Sequence, residues 1–169
     1  MSAKITSINY CPVKSVSFQS VENCKIKKNI GIIGDRNFAF AKDLDLQQAK
    51  LFEKSPAERK GKWNKVLTLK NSPALNKYNF IFKDEKLTLT FKDNEILSID
   101  INQSTEREAL SNKISELESS LKQPITLMKN DAFPFFDTSI SKKVDFVNSV
   151  SLLNFQSIND FEKKVSKKI

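Results

Sequence analysis

Three stretches of this chain carry side chains suited to holding an anion. In YCPVKS, residues 10–15, Lys14 and Ser15 follow Pro12, whose fixed φ and missing N–H suit the end of a strand. An ammonium and a hydroxyl then stand together at a turn, a workable phosphate contact. GIIGDRNFAFAKD, residues 31–43, holds two of the three glycines in the chain, and Asp35-Arg36 follows them at the mouth of an apolar run. Glycine there allows a positive φ or the close passage of another strand. The Arg36 fork is matched to a phosphate or carboxylate, and Asp35 is placed to orient it or to cap the turn. FVNSVSLLN, residues 146–154, passes from strand to helix through Asn148, Ser149 and Ser151, where free backbone N–H groups at a helix start attract anions. Each stretch also has a plainer reading: a solvated lysine in a turn, an Asp-Arg pair pinning a β-bulge, and ordinary N-capping by Ser149 or Ser151.

Composition removes other chemistries. The chain has no histidine, so a Ser-His-Asp triad, a His-ligated metal and an imidazole base are all excluded. Its two cysteines, Cys11 and Cys24, lie in segments that read as strands, are too few for a structural zinc site, and read as buried free thiols. The net charge of +8 invites a nucleic-acid partner, but only three of the 28 basic residues are arginines, and the lysines are dispersed among acids. No nucleic-acid or membrane partner is therefore expected. The opening MSAKITSINY lacks an apolar core segment and no run of 18 apolar residues occurs, which points to a reducing, cytoplasmic setting.

The elements that must position these residues are mostly strands up to about residue 101. Short strands are expected in AKITSINYC, FQSVENCKIK and RNFAFAKD, followed by an irregular polar excursion over 44–64 with a helical turn or two around Gln47 to Glu53. Strand character returns at KVLTLK, and SPALNKY reads as a short helix with Pro73 in its first turn. A β-meander follows, with Phe80 and Phe82, then Leu87, Leu89 and Phe91, then Leu97, Ile99 and Ile101 on its inner faces and turns at Asp84-Glu85 and Asp93-Asn94. Leu110, Ile114, Leu117 and Leu121 form one helical stripe over 105–121, with Thr105 and Glu108 at capping-box spacing. Then come a strand ITLMK, an aromatic loop DAFPFFDTS, a strand KVDFVNS and two helical pieces. In the second piece Ser157 and Asp160 stand at the cap and Ile158, Phe161 and Val165 form the stripe. FEKKVSKKI closes the sequence on a charged helix without a closing strand, so unpaired edges and poor solubility are expected.

Taken in order, YCPVKS, GIIGDRNFAF and FFDTSISKKVDFVNSVSLLNFQSINDFEKKV resemble the MOSC proteins with an N-terminal β-barrel, the molybdenum-cofactor group related to the amidoxime reducing component. The matching motifs are a Tyr-Pro-Val-Lys-Ser/Gly strand end, a Gly-Leu/Ile-x-x-Asp-Arg-x-aromatic strand, and Phe-x-Asp followed by Ser-Leu-x-x-Leu/Asn-x-x-Ser. The resemblance implies an α+β, predominantly β fold: an N-terminal barrel-like domain over 1–101, then a helix and the first elements of an incomplete MOSC core over 102–169. It implies that Lys14, Ser15 and Arg36 hold the phosphate of the pterin cofactor, with Asn148, Ser149 and Ser151 in the polar loop that opens the core helix. It further implies oxidoreductase chemistry on a small molecule, such as an N-oxygenated one, with a redox partner. Cys11 stands beside Pro12 where the family has Tyr, and neither cysteine matches the family's metal-ligating one, which follows a later Arg-Phe-Arg-x-Asn strand. The expectation is therefore a chain truncated before its metal ligand and inactive as it stands. Two alternatives belong to other classes: a sulfur-transfer protein acting through Cys11, and a basic binding module without catalysis.

Overall fold

The computed structural model describes residues 4–28, 30–121, 124–130, 132, 134–135 and 153–165. Strands β1 (Ile8–Tyr10) and β2 (Gln19–Val21) pair antiparallel, as do the two-residue strands β3 (Ile26–Lys27) and β4 (Gly31–Ile32). FQSVENCKIK thus divides into two strands, with Cys24 in the link between them. Neither cysteine falls inside a strand: Cys11 is buried, Cys24 is half-buried, and both are free thiols.

Strand β5 (Phe38–Lys42) is the organising element. Its residues Phe38 to Ala41 are all buried, because it is covered on both faces and paired on both edges. On one edge it runs antiparallel to β9 (Ile125–Lys129), from Phe38 opposite Lys129 to Lys42 opposite Ile125. On the other edge two segments follow one another. The Phe38 N–H donates to the Pro12 carbonyl (3.0 Å), and the Phe38 carbonyl accepts from the Lys14 N–H (2.8 Å). Two residues further on, the Phe40 carbonyl accepts from the Leu67 N–H (2.8 Å), and Ala41 bridges Val66.

Between β5 and that return lie helices α1 (Leu46–Lys54) and α2 (Pro56–Arg59) and a 3-10 turn, Trp63–Lys65. The helices start where side chains take up their free N–H groups: Asp45 accepts from Gln48 N (2.7 Å) and Ser55 from Ala57 N (3.2 Å). KVLTLK, expected as a strand, makes only the single bridge at Val66. Asn71 ends it by accepting the Thr68 N–H (2.7 Å) and donating to the Val66 carbonyl (3.0 Å), capturing backbone groups that a longer ladder would need.

A second 3-10 turn, Pro73–Lys77, leads into the meander of β6 (Tyr78–Lys83), β7 (Lys86–Phe91) and β8 (Asn94–Asp100). Phe80 faces Leu89, Phe82 faces Leu87, and Leu87 faces Ile99, so the expected apolar faces meet in register. Helix α3 (Ser104–Leu117) buries Leu110 and Ile114 against this sheet. It begins one residue earlier than its spacing predicts and ends at Leu117, an exposed residue, short of the expected residue 121, so Leu121 lies beyond the helix. Thr105 therefore lies inside the helix, and Glu106, not Glu108, reaches back, accepting the Asp100 N–H at 2.6 Å. The last described helix, α4 (Phe155–Val165), starts at Asn154, whose side chain accepts the Gln156 N–H (2.8 Å), so Ser157 and Asp160 lie within it.

One apolar cluster joins Phe38 and Phe40 to Phe80, Leu87, Leu89, Ile99 and Ile101, and extends to Leu110, Ile114, Ile125 and Leu127 beyond residue 101. A smaller one on the other side of β5 gathers Ala39, Ala41, Phe52, Val66, Met128 and Phe135, with Trp63 packed against it. The fold is mixed α and β, and among the described residues its sheets do not close into a continuous barrel.

Candidate anion site at the head of the central strand

The lead into β5 is a tight turn. Asp35 N donates to the Ile32 carbonyl (3.1 Å), and Gly34 at its centre has φ +96°. A Cβ at Gly34 would sit 3.2 Å from Cε2 of Tyr10, so glycine is needed there both for its φ and for the approach of the Tyr10 ring. Gly31, also at positive φ (91°), belongs to the β3–β4 pair. Glycine placement in this stretch thus serves the two purposes that its sequence allowed.

The turn locks onto the 10–15 segment through backbone and side chain together. The buried Asp35 carboxylate accepts the Cys11 N–H through Oδ1 (2.9 Å) and pairs through Oδ2 with Nη1 of Arg36. Arg36 N in turn donates to the Cys11 carbonyl (2.5 Å). Arg36 itself holds a left-handed φ of 53°, a conformation that persists in a non-glycine residue only where the surroundings over-determine it. The Phe135 N–H, donating to the Arg36 carbonyl at 2.8 Å, is a further restraint.

Lys14 and Ser15 occupy the facing turn. Val16 N closes it on the Val13 carbonyl (3.3 Å), and Ser15 sits at φ 59°, which accounts for a position where Ser or Gly is at home. Lys14 is no solvated turn lysine: it is 5% exposed, with Nζ 5.3 Å from the centroid of the Trp63 ring. Arg36 keeps about a third of its side chain (33%) open to solvent. The β5 edge therefore brings Lys14, Ser15 and Arg36 to one end of the strand, one cation inside and one at the surface.

Both cations act on the same neighbours. Burial raises the Asp35 carboxyl above its ordinary value and outweighs Arg36, the Cys11 N–H and Lys14, all of which lower it. Burial likewise pushes the Cys11 thiol up, against the opposing pull of Arg36 and Lys14. A thiol held in that way is a poor nucleophile and a poor metal ligand. Among the described residues, no three Cys, Asp or Glu side chains gather as a metal site. The residues present fit an anion such as a phosphate end group, and they do not assemble a metal ligand set. Asn148, Ser149 and Ser151 lie outside the described residues.

Sequence reasoning passed over three supporting residues. Arg59 is almost fully buried; its Nε donates to the Phe52 carbonyl (2.7 Å), its Nη1 to the Pro134 carbonyl (3.1 Å), and its guanidinium lies 4.1 Å from the centroid of Phe135. Burial lowers its pKa to about 10 against the opposing pull of Glu53. Arg59 thus fastens the segment whose Phe135 holds Arg36 in place. A rare arginine in a lysine-rich chain was the available signal for it. Trp63, the sole tryptophan, carried the same signal of rarity, whereas Phe135, one of 13 phenylalanines, carried none.

No helix among the described residues is long and apolar enough to cross a membrane. A family model, the MOSC N-terminal beta barrel domain, matches residues 2–125, well over half of the chain. No curated protein and no solved structure matches it.

Proposed function

Because the chain belongs to the MOSC N-terminal β-barrel family, we propose that it binds the phosphate end of a molybdenum-pterin cofactor at the head of β5, through Lys14, Ser15 and Arg36. One observation carries this reading. The two turns bearing Lys14 and Arg36 are hydrogen-bonded to each other and to one strand, so two cations far apart in sequence share a single fixed frame.

In that frame Lys14 supplies a partly desolvated ammonium, whose attraction for an anion is stronger than in water. Arg36, oriented by Asp35 and a third exposed, offers a guanidinium fork suited to charge-assisted bonds with phosphate oxygens. The proposal extends to Asn148, Ser149 and Ser151, whose side chains carry amide and hydroxyl donors suited to phosphate oxygens. When bound, the cofactor supplies oxygen-atom or reductive chemistry to a small-molecule substrate, with electrons from a redox partner. The chain's own residues bind and orient its phosphate end. The raised Cys11 thiol weighs against sulfur transfer through that residue.

The test is a titration of the full chain with inorganic phosphate, followed by 31P NMR. Saturable binding is expected, weakened about tenfold or more in Lys14→Gln and in Arg36→Gln, the loss expected for a charge-assisted bond. Equal affinity in wild type and both variants would remove the proposal.

A further inference from the structure

We propose that Trp63 is a positioning residue of this anion site, holding the tip of Lys14 at the head of β5. The inference rests on the anion-site reading above and adds to it a residue that no motif assigns.

The root and the tip of Lys14 are fixed by different means. At the root, Lys14 N donates to the Phe38 carbonyl, and the Val13–Val16 turn closes behind it. Beyond Cα, four methylenes separate the ammonium from that anchor, and ordering such a stem costs conformational entropy whenever its tip must meet a ligand. The Trp63 ring lies within cation-π range of that ammonium, at 5.3 Å from centroid to Nζ. A buried ammonium needs such compensation, since burial disfavours its charge.

The ring is itself held by β5. Val66 N donates to the Trp63 carbonyl (3.1 Å), Val66 bridges Ala41, and Leu67 donates to Phe40. Trp63 also packs on the cluster of Phe52, Val66, Met128 and Phe135. The backbone of Lys14 and the ring against its tip are thus both anchored along the same edge of the same strand. The polar excursion over 44–64 acquires a purpose from this, because it is the segment that delivers Trp63 to the site.

Trp63 is the sole tryptophan of the chain, so emission excited selectively at the indole, beyond the absorption of the two tyrosines, reports on this ring alone. On titration with inorganic phosphate, wild type should show a saturable change in emission that Lys14→Gln abolishes. In the unliganded protein, Lys14→Gln should already shift the emission maximum. By 31P NMR, Trp63→Phe, which keeps an aromatic face, should bind phosphate within about twofold of wild type, while Trp63→Leu should bind about threefold to tenfold more weakly. Lys14-dependent binding with unchanged emission and undiminished affinity in Trp63→Leu would overturn the role of Trp63 and leave the anion site standing. Absence of Lys14-dependent binding would overturn the anion site and this role with it. Should Trp63→Leu fail to fold, the unliganded spectra decide: identical emission from wild type and Lys14→Gln would overturn the inference.

Discussion

Asp35 at the head of β5 and Glu118 just past the end of α3 are both buried acids in one small molecule, and they are held in opposite ways. Glu118 accepts the Tyr78 hydroxyl at 2.6 Å and pairs with the Lys77 ammonium. Burial would raise its carboxyl, yet Lys77 and Tyr78 together outweigh that and keep it below its ordinary value. The Tyr78 phenol is correspondingly raised, by burial and by the carboxylate it serves. Asp35 has a guanidinium, a backbone N–H and the more distant Lys14 in its favour, and burial still wins. The difference separates a lock from a site. At Glu118 the charged partners decide the balance and fasten helix to sheet; at Asp35 burial decides it, and the acid serves to orient Arg36 and to tie the two turns together.

The same contrast holds between the meander and the β5 head at the level of packing, and substitutions can break it. Leu89 is fully buried between Phe80 and Leu97, with no polar function to serve. Leu89→Ala should cost about 2–5 kcal/mol of stability in urea denaturation. Phosphate affinity, measured on the folded fraction, should stay at the wild-type value. A matched loss of affinity would mean that the two regions are not separable.

Gly34→Ala should cost less, about 1–2 kcal/mol, and act on the other region. Its added methyl meets the Tyr10 ring at 3.2 Å in a backbone conformation that L-residues avoid. The turn that presents Asp35 and Arg36 must shift to accommodate it, so phosphate affinity should fall alongside stability. A variant that melts earlier yet binds phosphate normally would show that the turn supports the fold and not the site.

Legibility in the sequence follows the same division. The meander was readable nearly to the residue, because alternation and two-residue turns are local: Phe80, Leu87, Leu89 and Ile99 are buried as their spacing requires, and Asp84 and Glu85 take the positive φ values of the turn. The second turn falls one residue early, on Lys92 and Asp93. Helix α3 was readable as an element but not at its ends: Glu106 fixes the start by reaching an N–H on the preceding strand, and the helix stops at Leu117, short of residue 121. Around the site, the sequence named Lys14, Ser15 and Arg36, and the resemblance to a known family, not their spacing, put them together. What joins them is bonding across more than 20 residues, Cys11 to Asp35 and Pro12 to Phe38, which no local pattern carries. KVLTLK shows the converse: its alternation was that of a strand, and one asparagine side chain cancelled it.

The smallest expected effect, and the one that bears most directly on the opening contrast, is the pH dependence of stability. Asp35 ordinarily titrates near 3.8 and is raised in the folded chain, so the folded state binds its proton more tightly than the unfolded state. Its burial therefore costs stability when it is ionised, and that cost fades as pH falls through the raised value towards 3.8. Glu118, ordinarily near 4.5, is lowered, so its contribution is full above 4.5 and is lost as pH falls through its lower folded value. The two acids oppose each other on acidification. Thermal melts between pH 7 and 3 should show Asp35→Asn losing more stability than wild type as the acid limb is entered, because the proton uptake that eases Asp35 is gone. Glu118→Gln should be less stable at pH 7 and flatter below 4.5. A flatter acid limb in Asp35→Asn than in wild type would mean that Asp35 is as well compensated as Glu118. The head of β5 would then be a second lock of the same kind.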